Sequence, residues 1–257
     1  MNRRWLITGC STGLGRALAE AAAASGQRVI ATARRLETLE HLTNDYPANV
    51  VMCKLDVRDA VDCAIAISTA VKAFGGLDVL VNNAGYGQLG TVEEISDAEL
   101  TAQFATNLFG AWRMTRLVLP LMRAQGRGDI LMVAGRMTYP GLGAYTASKY
   151  ALEGMSDALR LELAGTGVNV TVLEPGAFAT RLARSAVEPR RHITAYNALV
   201  EPVLDDLRTR DADPPREFAD TVLRFLDDVH RPARLPIGTD PDRSWSCGGE
   251  FIRNSAT

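Results

Sequence analysis

The sequence predicts one α/β domain, a doubly wound (Rossmann) parallel sheet of about seven strands with helices on both faces. Three observations predict it. Short runs rich in β-branched residues alternate with helical stretches, the first run leads into a glycine-rich turn, and no linker or repeat interrupts the chain. Such alternation is typical of βαβ units that form a parallel sheet. A chain of 257 residues, 47% of them hydrophobic, can bury one substantial core, so residues 1–257 are predicted to form a single domain.

The predicted strands are short apolar runs, and the predicted helices carry apolar residues at three- and four-residue spacing. The strands are residues 5–8, 28–32, 50–55, 78–81, 129–133, 168–173 and 234–238. The helices are residues 14–25, 36–42, 60–74, 97–123, 143–163 and 218–229. Pro120 lies late in the long fourth helix, so we expect a bend or a break there.

The alternation fails between residue 177 and about residue 215, where arginines and prolines are mixed together. Long connections of this kind often cover a binding site. We therefore interpret this region as a mobile or helical insertion, with residues 181–215 as a candidate lid over a substrate pocket.

Composition and charge exclude several classes of partner. A net charge of −2 provides no basic field for nucleic acid or an anionic membrane. The first apolar stretch is too short for a signal peptide, so a cytoplasmic protein is expected. The four cysteines are scattered without a C-x-x-C pair, so neither a disulfide framework nor a metal site is expected.

A glycine-rich turn joins the first predicted strand to the first predicted helix. Glycines there permit the turn, let the backbone approach a pyrophosphate and bring the helix close to the strand, while the helix N-terminus attracts the anion. The spacing differs from G-x-G-x-x-G, but a strand before the turn and a helix after it favour a dinucleotide site over a structural turn. The predicted contacts are Thr8, Gly9, Ser11, Thr12, Gly13, Leu14 and Gly15.

Two arginines follow the second predicted strand, where an NAD enzyme of this fold usually has an acid for the ribose 2′-hydroxyl. Arg34 and Arg35 occupy the place, and no acid is present. A guanidinium binds phosphate through paired hydrogen bonds, so Arg34, with Arg35 or Arg16 assisting, is predicted to bind a 2′-phosphate and to select NADP(H). The alternative is a pair of solvated arginines at the start of a surface helix.

Six motifs occur in order between residues 5 and 180, and together they resemble the short-chain dehydrogenase/reductase family. The motifs are Thr8-Gly9-x-x-x-Gly13-x-Gly15, Asp56-Val57, Asn82-Asn83-Ala84-Gly85, Asn107, Tyr145-x-x-x-Lys149, and Pro175-Gly176 followed by Thr180. The resemblance implies that Asp56 and Val57 flank the adenine and that Asn83, Ala84 and Gly85 line the cofactor cleft. It also implies that Pro175, Gly176 and Thr180 contact the cofactor on its nicotinamide side.

Tyr145 and Lys149 are four residues apart, so on a helix they lie on one face and reach the same ligand. A phenol is a poor acid or base at neutral pH, but a neighbouring ammonium and a positively charged nicotinamide favour phenolate. Lys149 is therefore predicted to tune Tyr145 for proton transfer to or from the substrate oxygen. By the resemblance, Asn107 holds the water of a proton relay that ends at Lys149.

The chain departs from the family at the fifth strand, where members normally carry a serine that binds the substrate oxygen. Residues 129–140 contain no serine. Alignment on the strand end places Ala134 or Gly135 at that position with a shortened loop, whereas counting back from Tyr145 without a gap gives Met132. None of the three can donate a side-chain hydrogen bond. Loss of one such donor costs about 10² to 10³ in rate.

Thr138 is the first candidate for a replacement hydroxyl, and Arg136 for a cationic donor; otherwise water or groups of the substrate itself serve. Apolar residues near the expected pocket favour an apolar, cyclic or polyketide-like substrate. The predicted pocket comprises Gly135, Arg136, Met137, Tyr139, Leu142, Phe178 and Leu182.

The sequence therefore predicts an NADPH-dependent ketoreductase or alcohol dehydrogenase with a small-molecule substrate. Two alternatives keep the fold and the cofactor. One uses Tyr145 for epimerisation or elimination, and the other is an NADP(H)-binding regulatory or scaffolding protein. The resemblance also implies a homodimer or homotetramer formed through residues 97–123 and 143–163.

Overall fold

The computed structural model describes residues 2–135, 138–179, 186–209, 212–229 and 231–239. Seven parallel strands form one sheet in the order β3-β2-β1-β4-β5-β6-β7, which confirms the predicted doubly wound fold. The strands are β1 (Arg4–Ile7), β2 (Arg28–Ala33), β3 (Val50–Lys54), β4 (Val79–Asn82), β5 (Gly128–Val133), β6 (Val168–Pro175) and β7 (Arg234–Ile237). Among the described residues no helix is long and apolar enough to cross a membrane.

Eight α-helices occur in the described residues, and each lies in a connection between successive strands. They are α1 (Gly13–Ala24), α2 (Glu40–Asp45), α3 (Ala60–Phe74), α4 (Asp97–Phe104), α5 (Ala111–Gln125), α6 (Gly143–Glu162), α7 (Asn197–Thr209) and α8 (Pro215–Asp227). A π-helical segment, Ala105–Gly110, joins α4 to α5. Pro120 does not break α5, which continues to Gln125, so the irregular turn lies well before the proline.

Two apolar cores lie on opposite faces of the sheet because strand side chains alternate between faces. Trp5 and Ile7 of β1 point into the core under α1 and α8, whereas Leu6 points into the core under α3, α5 and α6. All three side chains are fully buried. Both faces of β1 are therefore covered, as a doubly wound sheet requires.

The sheet order reverses direction between β1 and β4, since the chain moves outward from β1 to β3 and then returns to β4 on the other side. The crevice beyond the carboxyl ends of the strands at such a switch point is where open α/β sheets bind ligands. The loops that leave β1 and β4 are therefore the first place to look for a cofactor site.

The described part of the candidate lid contains a non-helical stretch followed by α7, and it is attached to the domain. Val187 donates a backbone hydrogen bond to Gly87 and accepts one from Leu89, both of 2.8 Å. The buried Glu94 carboxylate accepts a 2.8 Å hydrogen bond from the Ile193 amide. Residues 181–185, 210 and 211 of the predicted lid lie outside the described residues, and whether the segment opens over a pocket stays a prediction.

Candidate active site

The loop after β1 is fastened to the end of β4 by the hydroxyl of Thr8. This hydroxyl accepts 2.9 Å hydrogen bonds from the amides of Asn83 and Ala84 and donates to the Val81 carbonyl at 3.1 Å. The Asn83 side chain donates in return to the Thr8 carbonyl at 2.7 Å and to the Gly9 carbonyl at 3.2 Å. The two motifs predicted to line the cofactor cleft therefore form one rigid unit at the switch point.

Two glycines are required by this close packing. A β-carbon on Gly15 would lie 2.2 Å from Asn83 Nδ2 and 2.5 Å from the Gly9 carbonyl oxygen. Gly9 has φ of +74°, which side-chain-bearing residues rarely adopt, and a β-carbon there would lie 3.1 Å from Ala84 Cα. The start of α1 is thus held against the β4 loop at a distance that only glycine permits.

The first turn of α1 fits an anionic ligand. Its N-cap residue, Thr12, makes no capping hydrogen bond through its side chain, and the first turn contains no acidic residue. The positive end of the helix dipole is therefore not neutralised locally. Ser11, Gly13 and Leu14 complete the turn, which is the arrangement that binds a pyrophosphate in dinucleotide-binding folds.

Arg34 and Arg35 are both exposed immediately after β2. The Arg58 guanidinium, hydrogen-bonded to Asp56 at 2.6 Å, lowers the pKa of that carboxyl, and the charge of Arg34 adds to the effect. Arg34 and Asp56 are therefore near each other at one edge of the cleft. Arg16, the alternative helper, is instead paired with Glu20 at 2.7 Å.

Val57 is buried on the opposite side of the same loop. A β-carbon on Gly110 would lie 2.5 Å from Val57 Cγ2, and Arg113 donates a 2.6 Å hydrogen bond to the Val57 carbonyl. The loop after β3 is thereby held on the end of the π-helical segment. Sequence reasoning did not connect these elements, because neither Gly110 nor Arg113 belongs to a motif.

Tyr145 and Lys149 lie on one buried face of α6, with exposed fractions of 8% and 6%. Lys149 Nζ is 5.7 Å from the centre of the Tyr145 ring and donates a 2.8 Å hydrogen bond to the carbonyl of Val133, the last residue of β5. The helix therefore presents both side chains at the carboxyl end of the sheet.

Burial sets the protonation of both groups. It raises the pKa of Tyr145 to about 12, and it lowers the pKa of Lys149 to about 8, with the Glu153 carboxylate opposing the latter shift. Burial is the cause of the upward shift, because removal from water disfavours phenolate, and the tuning of Tyr145 by Lys149 stays a prediction. Tyr145 is thus a neutral phenol here, the form that donates a proton.

Asn107 lies in the π-helical segment and is buried. Its amide donates to the Tyr86 carbonyl at 3.1 Å and to Ser148 Oγ at 3.0 Å, and its carbonyl oxygen accepts from the Tyr86 amide at 3.1 Å. A β-carbon on Gly85 would lie 3.1 Å from Asn107 Oδ1 and 3.7 Å from Lys149 Nζ. The Asn107 and Lys149 side chains therefore both lie close to the Gly85 backbone. A π turn at such a position is common at functional sites.

Ser148 is a site residue that the motifs did not reveal. It is fully buried, donates a 2.7 Å hydrogen bond to the Tyr145 carbonyl and accepts the one from Asn107. It therefore ties α6 to the π-helical segment one residue before Lys149. The available signal was its place between Tyr145 and Lys149, since a serine there on the buried face needs a partner.

Gly135, one of the three candidates for the serine position, has a positive φ of +129°, and among the described residues a β-carbon there would come near only the Pro175 carbonyl oxygen, at 4.0 Å. Ala134 is buried and continues the β5–β6 pairing through its amide. Thr138 is exposed, in contrast to Tyr145. Arg136 and Met137 lie outside the described residues.

The other predicted pocket residues differ in how deeply they are buried and in what they contact. Leu142 is buried at the start of α6, and Tyr139 is partly buried just before it. Phe178 packs edge-on against Phe218 with ring centres 5.8 Å apart, so that part of its surface belongs to the core rather than to a pocket. Leu182 and Thr180 lie outside the described residues. Pro175 and Gly176 end β6 beside the turn after β7.

A wall of the cleft that sequence reasoning missed is the chain after Gly85. A β-carbon on Gly87 would lie 3.9 Å from Tyr145 Cδ2 and 3.8 Å from Ala186 Cβ. Gln103 holds this chain by accepting a hydrogen bond from the Gln88 amide at 2.7 Å and donating to the Tyr86 carbonyl at 2.9 Å. Gly87 therefore leaves room directly beside the Tyr145 ring.

Comparison with known proteins decides the family. The short chain dehydrogenase family model matches residues 3–191. The protein is a short-chain dehydrogenase/reductase. The chain is 38% identical to oxidoreductase BOA17 of Botryotinia fuckeliana over 247 residues, covering 93% of this chain and 90% of that protein. A short-chain dehydrogenase structure from Streptomyces avermitilis superposes with a TM-score of 0.88 at 36% identity, covering 98% and 93% of the two chains.

Two further solved structures similar to this chain contain nicotinamide cofactors. An alcohol dehydrogenase from Thermococcus sibiricus, complexed with 5-hydroxy-NADP, is 26% identical with a TM-score of 0.75, covering 91% of this chain and 94% of that one. A 3-ketoacyl-(acyl-carrier-protein) reductase from Brucella melitensis, complexed with NADH, is 25% identical with a TM-score of 0.78, covering 93% and 97%. Similar proteins thus bind either NADP-type or NAD-type cofactors.

Proposed function

We propose that this short-chain dehydrogenase/reductase is an NADPH-dependent ketoreductase or alcohol dehydrogenase acting on an apolar, cyclic or polyketide-like substrate. The observation that carries the proposal is the buried pair of Tyr145 and Lys149 on α6, beside the carboxyl end of β5. The glycine loop and the Asn83 turn lie at the same end of the sheet. A proton donor and a dinucleotide cleft therefore share one edge.

The protein's own part in the reaction is binding and proton transfer. A bound nicotinamide supplies or accepts the hydride. In reduction, the neutral Tyr145 phenol donates its proton to the substrate oxygen as that oxygen gains negative charge, and in oxidation the phenolate takes the proton back. The Lys149 ammonium lies near enough to stabilise the phenolate, and its hydrogen bond to the Val133 carbonyl fixes its position.

The choice of NADP(H) rests on the arginines of this chain. Arg34 is exposed directly after β2, at the place where an NAD enzyme of this fold usually has an acidic residue. The nearby Asp56 already forms an ion pair with Arg58. The Asp56 charge is thereby largely compensated, which leaves Arg34 for a phosphate group. Glycine at position 87 leaves room for an added β-carbon beside the Tyr145 ring, which suits a bulky substrate.

The missing serine favours one alternative, a reaction without net redox change such as epimerisation or elimination with Tyr145 as the acid or base. A panel of ketones mixed with NADPH and protein, followed by NADPH absorbance, separates the two. Consumption of NADPH by an apolar ketone is expected. Binding of NADPH without consumption, together with a non-redox change in a candidate substrate, would favour the alternative, and binding with neither would favour a regulatory protein.

Replacement of Tyr145 by phenylalanine tests the proposed acid directly. Turnover is expected to disappear while NADPH binding stays nearly unchanged, because only the proton donor is removed from an otherwise filled, buried site. Steady-state turnover and fluorescence titration with NADPH measure the two effects. A Tyr145→Phe protein that keeps most of its turnover would remove Tyr145 from the mechanism.

Assembly as a homodimer or homotetramer remains part of the proposal. Large apolar side chains are exposed along α4, the π-helical segment, α5 and α6, and a second copy of the same face would cover them. They are Leu100, Phe109, Trp112, Tyr150 and Leu161. Light scattering is expected to exceed the monomer mass at micromolar concentration. The cytoplasmic location stays a prediction.

A further inference from the structure

The buried face of α6 continues past the tyrosine and lysine to a carboxylate. Tyr145, Lys149 and Glu153 recur every four residues, so they are stacked on one face of the helix. Glu153 is only 3% exposed. Carboxylates are seldom so deeply buried without a compensating charge.

Arg234 of β7 provides part of that compensation. Its guanidinium contacts Glu153 Oε2 at 2.6 Å and Glu174 Oε1, on β6, at 3.1 Å. It also contacts Asp157 at 2.9 Å, but that side chain is 46% exposed. Glu174 is as deeply buried as Glu153 and directly precedes Pro175 and the predicted nicotinamide side of the cleft. One guanidinium thus bridges the end of β6 to α6, one turn beyond Lys149.

The charges in this cluster alternate in sign. Arg234 is shared by two buried carboxylates, Glu153 and Glu174, and by Asp157 near solvent. The next charged side chain on the same face of α6 is Lys149, itself 6% exposed. Its ammonium completes an alternating series of charges: Lys149, Glu153, Arg234 and Glu174. Such a series offsets the cost of removing each charge from water.

We propose that Glu153 is a positioning residue, oriented by Arg234 and Glu174, that keeps Lys149 as an ammonium beside Tyr145. Its consequence for catalysis rests on the proposed function of Tyr145 and Lys149. Its effect on the charge of Lys149 does not depend on that function.

The groups around Lys149 agree with this role. The Val133 carbonyl of β5 accepts its hydrogen bond, the neutral Asn107 amide approaches from the π-helical segment, and Tyr145 lies one turn before it. Glu153 is thus the neighbouring carboxylate on α6, with Glu174 and Arg234 behind it on β6 and β7. Burial lowers the pKa of Lys149 to about 8, and Glu153 opposes that shift. Loss of the Glu153 charge therefore lowers the pKa further.

The protein is well suited to a direct measurement, because its sequence contains only three lysines, Lys54, Lys72 and Lys149. Lys54 and Lys72 are exposed. Lysine labelled with ¹³C at Cε therefore gives three NMR signals, and the absence of one in Lys149→Met assigns the buried group. Titration of the full-length protein without cofactor then reports the protonation of Lys149.

Replacement of Glu153 by glutamine is expected to lower the titration midpoint of Lys149 by about one pH unit, the size of a carboxylate effect one helical turn away in a partly polar interior. Asp157→Asn is the matched control. It removes a charge from the same guanidinium but two turns from Lys149 and near solvent, so the midpoint should stay near that of the unaltered protein. Equal midpoints in Glu153→Gln and the unaltered protein would overturn the proposal.

Glu174→Gln keeps the test decisive if Glu153→Gln does not fold. With Glu174 neutral, Arg234 compensates Glu153 more completely, so a smaller shift in the same direction is expected, and no shift overturns the proposal. In an active enzyme, the alkaline limb of turnover should move to lower pH in Glu153→Gln by the same amount as the NMR midpoint. Absence of turnover in every form, with the NMR shift present, would count against the proposed function alone.

Discussion

Replacement of Gly15 by alanine perturbs the junction on which the cofactor cleft depends. Gly15 lies in the first turn of α1, and the added β-carbon would lie 2.2 Å from Asn83 Nδ2 and 2.5 Å from the Gly9 carbonyl oxygen. Neither atom is the end of a flexible side chain on the surface. Asn83 is held by hydrogen bonds to the Thr8 and Gly9 carbonyls, and the Gly9 oxygen belongs to the backbone.

The cost follows from what must move. To accept the methyl group, either the Asn83 amide gives up two hydrogen bonds, worth about 1 kcal/mol each, or α1 shifts away from the β4 loop. Overpacking of a close contact by one methyl group costs about 1 to 3 kcal/mol. Together these effects predict a free energy of unfolding lowered by about 2 to 4 kcal/mol, after a gain of up to about 1 kcal/mol in helix propensity.

Thermal unfolding and NADPH titration measure the two consequences. Gly15→Ala is expected to lower Tm by roughly 5 to 15 °C and to weaken NADPH binding, since the same shift displaces the start of α1. Gly154→Ala is the control, because Gly154 lies inside α6 and a β-carbon added there would meet no neighbouring atom of the described residues within 4 Å. It should raise Tm slightly. Chromatography checks that both variants keep the same assembly. Equal Tm values for the two variants would refute the reasoning.

Two further substitutions test the cofactor and substrate sides of the cleft. Arg34→Ala should erase most of the preference for NADPH over NADH, which is about 10- to 100-fold for one charged phosphate contact. Arg16→Ala, which loses its ion pair with Glu20, is the control and should preserve that preference. Equal dissociation constants of NADPH and NADH for the unaltered protein would contradict the assignment of Arg34. Thr138→Val should lower turnover about 10²-fold if its hydroxyl replaces the serine; steady-state kinetics measures this, and unchanged turnover would exclude Thr138.

The fold could be predicted almost entirely from the sequence, because it depends on patterns that are local. Each predicted strand corresponds to one in the sheet, since β-branched runs such as residues 28–32 and 168–173 are bounded by glycines that end the preceding helices. Alternation of strands and helices then dictates parallel pairing. The family motifs place the glycine turn and Asn83 at one edge, and hydrogen bonds between them agree with that placement.

What the sequence did not reveal depends on contacts between distant segments. Pro120 predicts a bend or a break in the helix, but α5 continues past it to Gln125. Tertiary context overrides local helix propensity at this position. The irregular turn instead surrounds Asn107, whose amide bonds to Tyr86 and Ser148. No local sequence pattern predicts this π turn, because the hydrogen-bond partners of the Asn107 amide come from other segments of the chain.

The same limit applies to the charges behind the active site. Glu153, Glu174 and Arg234 come from three elements separated by up to 81 residues, and each alone resembles an ordinary surface charge in the sequence. Only the sheet order, which places β7 beside β6, brings the guanidinium to the two carboxylates. Burial then gives the cluster its electrostatic importance.

If Gly135 is the position that carries the serine in other members of the family, its replacement involves the backbone as well as the hydroxyl. Its φ of +129° is a conformation that serine rarely adopts, although the nearest atom of the described residues to an added β-carbon is 4.0 Å away. The backbone after β5 therefore follows a path that favours glycine, and a serine introduced there would bring strain as well as a hydroxyl group. The Val133 carbonyl, two residues earlier, accepts the Lys149 hydrogen bond, so this stretch of backbone begins directly beside the proposed proton-transfer pair. We expect a substrate that uses the room beside Gly87, rather than one held by a serine hydroxyl, to fit the proposed site.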